Sequence, residues 1–92
     1  MISYYCTFMY IIYQRKFMRI LNQSGRFITV YWIDYHGVEM GFLYLANGES
    51  NSQGTYENHV WVAADTDGII VPLGGECVYH TEGGNVELIA SD

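Results

Sequence analysis

The two tryptophans of this 92-residue chain, Trp32 and Trp61, and the histidine beside the second of them, His59, are its candidate functional residues. Trp32 lies in one apolar stretch, and His59 precedes Trp61 by two positions in another. Residues two apart in a strand share a face, so His59 and Trp61 are predicted to lie on the same side. An imidazole beside indoles can hydrogen-bond and stack on a ring-shaped ligand, which is the chemistry of recognition.

The alternation of residues around Trp61 predicts which way these side chains point. Val60 and Val62 are natural core residues. His59 and Trp61 alternate with them and are therefore expected on the outer face of the strand. The alternative is ordinary packing of both rings under a loop.

The remaining polar residues do not predict an enzyme or a metal site. No pair among the histidines and aspartates has zinc-ligand spacing, and there is no Cys-x-x-Cys. Ser50, Ser52, His59 and Asp65 are close in sequence, but a flexible loop at 48–52 offers neither a held nucleophile nor an oxyanion site. We expect no catalytic residues, no metal and no cofactor.

Short strands must position the aromatic residues, because glycine-containing turn signals recur along the chain. The signals are Ser24-Gly25, His36-Gly37, Asn47-Gly48, Gln53-Gly54, Asp67-Gly68, Gly74-Gly75 and Gly83-Gly84-Asn85. Strands are predicted near 17–22, 27–34, 40–45, 59–64, 69–72, 76–80 and 85–90. This pattern predicts an all-β fold, a small antiparallel β-sandwich of about seven strands, without a long amphipathic helix.

Charge is divided unevenly along the chain. All four basic residues lie within the first 26 positions, and all ten acidic residues lie from Asp34 onward. The chain after Arg26 has no Lys or Arg with which to neutralise phosphates, so nucleic-acid binding is disfavoured and a neutral or cationic partner is favoured. A merely soluble acidic surface is the alternative. Half of the residues are hydrophobic, which predicts one folded domain.

An apolar, tyrosine-rich run covers residues 2–13. It is shorter than the ~20 residues that span a bilayer, and it lacks a positive flank and a cleavage site. We expect 1–16 to be an N-terminal extension or an extra strand before a domain at 17–92, with a signal anchor as the alternative. Cys6 and Cys77 do not form a disulfide framework, which favours a reducing, cytoplasmic location without membrane association.

Several segments of the sequence carry a family resemblance. They are Asn22-Gln23-Ser24, VYWIDYHG at 30–37, Gly48, TYENHVW at 55–61 and Asp67-Gly68. The tryptophan pair, with a histidine two positions before the second, is the specific part. In these residues the chain resembles the β domain of the von Hippel–Lindau tumour suppressor family, a prealbumin-like β-sandwich, with ungapped spacing from Asn22 to Asp65.

The resemblance implies a peptide-binding pocket. In that family an outer pocket receives a 4-hydroxyproline from a target peptide laid along the sheet. The corresponding walls here are Trp32 and Trp61, with Phe42 where the family has tyrosine. Tyr56 would lie beside the peptide backbone.

The resemblance further implies that His59 and Thr55 hydrogen-bond the hydroxyl of the ligand, the family having serine where this chain has Thr55. A buried hydroxyl must find both a donor and an acceptor. Plain proline would leave these groups of the site unpaired, which costs ~1–3 kcal/mol per group. His59 and Thr55 would therefore distinguish hydroxyproline from proline.

The predicted function is a non-catalytic module that recognises a protein or peptide, preferably prolyl-hydroxylated, as in the substrate-recognition part of a ubiquitin ligase. The alternative is a β-sandwich interaction or structural domain that binds unmodified peptide, another small ligand or nothing. The family's ligase adaptor has a helical domain after the sandwich that binds elongin C. No such helix is predicted up to Asp92, so elongin binding is not expected from this chain.

Overall fold

The computed structural model of the chain describes residues 16–56, 58–82 and 84–92. Within these ranges the chain forms seven strands and no helix. The strands are β1 (Lys16–Asn22), β2 (Ile28–Ile33), β3 (Glu39–Leu45), β4 (Ser50–Thr55), β5 (Val60–Asp65), β6 (Tyr79–His80) and β7 (Val86–Ala90). The predicted all-β class is confirmed.

The seven strands form two sheets. In the three-stranded sheet β1 is central and pairs antiparallel with β4 and parallel with β7. The four-stranded sheet has the order β3-β2-β5-β6, and all its pairs are antiparallel. β3 and β4 follow one another in the chain, yet each is the edge strand of a different sheet.

Alternating side chains from both sheets fill the layer between them. β1 contributes Met18 and Ile20, and β2 contributes Ile28 and Val30, all completely buried. The same core contains Leu43, Leu45, Trp61, Ala63, Val71, Leu73, Leu88 and Ala90. Full burial of a large aliphatic side chain contributes about 1.5–3 kcal/mol, so this layer is the main stabilising element of the sandwich.

Most predicted strands are confirmed. The predictions at 17–22, 27–34, 40–45, 59–64 and 85–90 agree with β1, β2, β3, β5 and β7 to within one residue at each end. The strand predicted at 76–80 is reduced to Tyr79–His80. The strand predicted at 69–72 is wrong, because this segment makes only an isolated bridge from Ile70 to Ala64. Pro72 has no N–H to continue a ladder there.

β4 is the strand that the sequence does not predict. The loop expected at 48–52 and the turn expected at Gln53-Gly54 are both wrong, because residues 50–55 pair with β1 along their whole length. Serine, asparagine and glycine have low strand propensity. Pairing with the apolar strand β1 outweighs that local preference.

Asp34 closes the turn that follows β2. Its Oδ1 accepts hydrogen bonds from the backbone N–H of His36 and Val38, at 2.8 and 2.9 Å. Gly37 completes the turn at a φ of 79°, which glycine adopts without strain. The turn fixes the position of Tyr35 at the end of β2.

Asp65 closes the turn after β5 in the same way. Its carboxylate accepts hydrogen bonds from the backbone N–H groups of Ile69 and Asp67 and from the guanidinium of Arg26. These bonds, the one from Ile69 most of all, hold the pKa of Asp65 below its ordinary value, although burial alone would raise that pKa. Arg26 also pairs with Asp92, which ties the end of the chain to this turn.

Asn22 is a buried polar residue at the end of β1. Its Nδ2 donates to the carbonyl groups of Arg26 and Leu45, at 2.7 and 2.9 Å. Its Oδ1 accepts from the N–H and the hydroxyl of Ser24, at 3.0 and 2.7 Å. The Asn22-Gln23-Ser24 motif is therefore a structural junction between β1 and β3.

Residues 1–15 lie outside the described residues, and with them most of the predicted extension and Cys6. Lys16 belongs to β1. Cys77 is an exposed free cysteine. In the described part of the chain, no helix long and apolar enough to cross a membrane is present.

Candidate functional site

The candidate site lies at the end of the sandwich where β2 ends and β5 begins. Trp32 is directly opposite Trp61 in the β2–β5 ladder. His59 immediately precedes β5, while Thr55 ends β4 and Tyr56 follows it. Strand pairing therefore brings residues from separate parts of the sequence to one place.

Six rings form what we call the ring cluster: Trp32, Tyr35, Phe42, Tyr56, His59 and Trp61. The indole of Trp32 stacks on the imidazole of His59, with centroids 5.0 Å apart and planes at 28°. It meets Phe42 edge-on at 6.1 Å, and Phe42 meets Trp61 edge-on at 5.6 Å. The centroid of Tyr56 lies 5.5 Å from that of His59. Offset and edge-on contacts stabilise ring pairs, so the rings hold one another in place.

Trp61 and Thr55 form the buried floor of the cluster. They are 2% and 1% exposed. The indole Nε1 of Trp61 donates to Thr55 Oγ1 at 3.0 Å, and Thr55 Oγ1 lies 3.4 Å from Thr81 Oγ1. Thr55 thus fixes the orientation of the indole through a hydrogen bond within the domain.

The prediction that Trp61 faces outward is wrong. Trp61 and Ala63 belong to the core between the sheets, and Val60 and Val62 alternate with them onto the opposite face. The valines do not mark the core because the outer face of the four-stranded sheet is itself apolar at this point. There Val62 lies opposite Tyr31 and is buried.

Phe42 reaches the cluster because β3 contains a bulge. The β2–β3 ladder pairs Val30 with Leu43 but Tyr31 with Gly41, so Phe42 is the extra residue. A bulge re-aims the side chain that it carries. Leu43 stays in the core, while Phe42, which is 42% exposed, contacts both tryptophans.

A tight turn holds His59 against Trp32. Asn58 has a φ of 70°, a left-handed conformation that asparagine tolerates better than most residues. The N–H of His59 donates to the carbonyl of Tyr56 at 3.1 Å, and the N–H of Thr81 donates to the carbonyl of His59 at 2.8 Å. The backbone is fixed on both sides, yet neither ring nitrogen of His59 has a hydrogen-bond partner among the described residues.

Burial lowers the pKa of His59 from its ordinary value of 6.5, because desolvation disfavours the imidazolium. A neutral imidazole has one donor nitrogen and one acceptor nitrogen. At neutral pH, His59 can therefore accept a hydrogen bond from a hydroxyl group and can also donate one.

Two residues of this site are absent from the sequence prediction. The ring of Tyr35 lies 6.5 Å from Trp32 and 6.1 Å from His59, although Tyr35 is 85% exposed. The turn signal at Gly37 could have indicated it, because it marks the end of the tryptophan strand. Nothing in the sequence around Thr81 indicates that it belongs to the site, since the residues it contacts there, Thr55 and His59, are distant in the chain.

The VHL beta domain model matches residues 13–72 of the chain. The chain belongs to this family. The match covers more than half of the 92 residues and includes all six predicted site residues. A search among curated proteins found no match.

Membership of the VHL beta domain family confirms the resemblance found in the sequence and agrees with the two-sheet fold. The VHL beta domain is a non-catalytic recognition domain, which supports a general role in protein binding and substrate recognition. Across residues 16–56, 58–82 and 84–92, no three His, Cys, Asp or Glu side chains lie close enough together to hold a metal ion. The site of this VHL beta domain instead offers aromatic surface and one imidazole.

The lowered pKa of His59 makes the stability of this VHL beta domain depend on pH. Below about pH 6.5 the unfolded state binds a proton at His59 more readily than the folded state. Above about pH 6.5 His59 is neutral in both states and does not lower the free energy of unfolding. We expect the free energy of unfolding to fall as the pH is lowered below that value. Urea unfolding at about pH 7.5 and about pH 5 measures the difference.

The matched control for this measurement is His59→Gln, which keeps a polar side chain of similar reach but does not titrate. This variant should lose the part of the pH dependence that His59 contributes. An unchanged pH dependence in His59→Gln would mean that other groups produce it.

Proposed function

We propose that this VHL beta domain recognises a proline-containing peptide, preferably one that carries 4-hydroxyproline, as in the substrate-recognition part of a ubiquitin ligase. The proposed site comprises Trp32, Phe42, Thr55, Tyr56, His59 and Trp61. The observation that carries the proposal is His59, a half-buried imidazole stacked on Trp32 whose ring nitrogens have no partner among the described residues. A hydroxyl on a ligand ring stacked beside it would supply that partner.

The aromatic surface around His59 supports a ring-shaped ligand. Trp32 is half-buried, with the exposed ring of Phe42 beside it, and the exposed ring of Tyr56 lies beside His59. A saturated ring packs well on indole and phenyl faces, and aromatic side chains lose little conformational freedom when they bind. These residues would form the walls that contact the ring of the proline.

Thr55 has a less direct part in this proposal. Its hydroxyl is buried and accepts the hydrogen bond of Trp61 Nε1. The described residues form no pocket in this structure, and Thr55 is buried, so the ring cluster must open before a ligand reaches Thr55. Thr55 would first orient Trp61, and it would contact the ligand hydroxyl after Tyr56 or His59 moves aside.

Among the described residues β4 lies at the edge of its sheet, which supports a position for the peptide main chain. β4 is the outer strand of the three-stranded sheet, and its last residue, Thr55, belongs to the site. An extended peptide can add to such an edge through main-chain hydrogen bonds while its side chains enter neighbouring pockets. Tyr56, directly after β4, would then lie beside the peptide backbone.

Two peptides that differ only in one hydroxyl test the proposal. The chain has two tryptophans, both in the ring cluster, so tryptophan fluorescence reports on binding at this site. We expect the 4-hydroxyproline peptide to bind roughly 10-fold more tightly than its proline twin, because plain proline leaves the imidazole unpaired. His59→Ala should bring the two affinities together.

His80→Ala is the matched control, because His80 is an exposed histidine of the neighbouring strand β6. It should leave the ratio of the two affinities unchanged. Equal binding of both peptides by the unaltered chain would favour the alternative, a domain that binds unmodified peptide or another ligand. Discrimination that survives in His59→Ala would contradict the assignment of His59.

A further inference from the structure

The four-stranded sheet is apolar on its outer face as well as on the face that meets the core. Side chains that alternate with core residues along a strand point to the outer face. Hydrophobic residues of this kind come from β2, β3, β5 and the bridge after β5: Tyr31, Ile33, Tyr44, Val60, Val62, Ala64 and Ile70. An antiparallel sheet with one face in water normally carries polar residues on that face. The outer face therefore has the composition of a covered surface.

The apolar side chains of this face are accessible among the described residues. Tyr44 is 64% exposed and Ile70 is 40% exposed, while Tyr31 is half-buried. An added Cβ at Gly41 would lie 3.0 Å from the hydroxyl oxygen of Tyr44 and 3.7 Å from the ring of Tyr31. Because Gly41 has no side chain, Tyr44 can lie over β3 beside Tyr31. Contiguous exposed apolar surface of this kind marks an interaction site.

The outer face of the three-stranded sheet is more polar. β1 places Arg19 on it, opposite Glu87 of β7 and Ser52 of β4. Arg19 Nε lies 3.9 Å from Glu87 Oε2, and Arg19 Nη2 donates to Ser50 Oγ at 3.1 Å. Ile89 is exposed beside these polar groups. Of the two sheets, the four-stranded sheet thus has the more apolar exterior.

The charge around the outer face of the four-stranded sheet is negative. No Lys or Arg follows Arg26, so the four strands of this sheet and the loops between them have neither residue. Glu39 begins β3 at one end of the face, where Asp34 closes the turn, and Asp67 lies in the turn at the other end. Arg26 itself is held by two carboxylates. An apolar face bordered by carboxylates is complementary to a partner with both apolar and basic side chains.

We propose that the outer face of the four-stranded sheet binds a basic, amphipathic segment of another protein. The apolar side of the segment covers Tyr31, Tyr44 and Val62, and its Lys or Arg side chains pair with the carboxylates at the border. Apolar burial supplies the affinity, while charge complementarity selects the partner and speeds the encounter. Tyr31 and Trp32 are neighbours that point to opposite faces of β2, so this surface is separate from the ring cluster. The proposal therefore does not depend on the recognition of hydroxyproline.

A second copy of the chain fits this face less well. Two outer faces brought together would meet along borders of carboxylates, and neither four-stranded sheet has a Lys or Arg to pair with them. The chain also carries a net charge of -6. Like charges oppose association and select against such a partner.

Three labelled peptides that differ in charge or in apolar content test the proposal. The first presents leucine on one side and lysine on the other, the second has glutamate in place of each lysine, and the third has serine in place of each leucine. In fluorescence anisotropy we expect the leucine–lysine peptide to bind on the order of 10-fold more tightly than either of the others. Equal binding of the serine–lysine peptide would mean that charge alone attracts it. That result, or no binding of the leucine–lysine peptide, would overturn the proposal.

Tyr44→Lys locates the binding, because it places a positive charge on the outer face of the four-stranded sheet. Ile89→Lys is the matched control, since it adds the same charge to the outer face of the other sheet. Both residues are exposed, so both variants should fold. We expect Tyr44→Lys to weaken binding of the leucine–lysine peptide on the order of 10-fold and Ile89→Lys by less than about 2-fold. Equal losses would make the attraction a property of the whole acidic chain and would overturn the proposal.

Amide chemical shifts of the unaltered chain give an independent map of the binding surface. The leucine–lysine peptide should shift the amides of Tyr31, Tyr44 and Val62 more than those of Arg19 and Ile89. The reverse order would assign the peptide to the three-stranded sheet and would overturn the proposal. In sedimentation we expect the chain to be a monomer. A dimer that Tyr44→Lys dissociates would assign the face to a second copy and would also overturn the proposal.

Discussion

Trp61→Ala is expected to lower the free energy of unfolding by about 3–5 kcal/mol, the cost of removing a large aromatic side chain from a packed core. Trp61 is 2% exposed and belongs to the core between the sheets. Its removal also leaves the buried hydroxyl of Thr55 without the donor that it accepts from. Urea unfolding followed by circular dichroism measures the change.

Trp32→Ala is the matched control, because Trp32 lies directly opposite in the ladder but is only half-buried. Its loss should cost about 1–2 kcal/mol. Trp61→Phe should fall between the two, at about 2–3 kcal/mol, since it keeps an aromatic ring but removes the N–H donor. Equal losses for both alanine variants would contradict the division into a buried floor and an accessible wall.

Much of the fold can be predicted from turn chemistry and alternation. Glycines at Gly25, Gly37, Gly48 and Gly68 all adopt the positive φ that their turn signals imply. The strands between them are apolar enough to be recognised. β4 could not be predicted in this way, because its polar, glycine-containing sequence is held in the sheet by pairing with β1 rather than by its own propensity.

The candidate site, too, can be predicted from the sequence only in part. The sequence identifies Trp32, His59 and Trp61 as site residues, and strand pairing does place Trp32 opposite Trp61 and in contact with His59. Their direction cannot be read from alternation alone, because a strand whose two faces are both apolar gives no signal of which face is the core. Val62 is buried on the outer face, which reverses the simplest interpretation.

The ring cluster also depends on a register irregularity that composition does not reveal. Without the bulge in β3, Phe42 would alternate onto the face opposite Leu43 and away from the core side. With it, Phe42 links the two tryptophans. A feature of this kind follows from the pairing of two strands and has no counterpart in either strand alone.

Trp32→Ala is also expected to weaken binding of the hydroxyproline peptide by on the order of 100-fold. Trp32 stacks on His59 and contacts Phe42, so its removal takes away both a wall and the support of the imidazole. Central aromatic residues of this type contribute about 2 kcal/mol or more to recognition. Because the variant should remain folded, the loss measures recognition and not unfolding.

Tyr31→Ala is the matched control for binding, since Tyr31 neighbours Trp32 in β2 but points to the opposite face of the sheet. It should leave the peptide affinity within about 2-fold of the unaltered chain, whatever its effect on stability. Similar losses in both variants would mean that the peptide contacts the outer face of the four-stranded sheet, where Tyr31 and Val62 lie. A loss confined to Trp32→Ala assigns recognition to the end of the sandwich where the ring cluster and the edge of β4 meet.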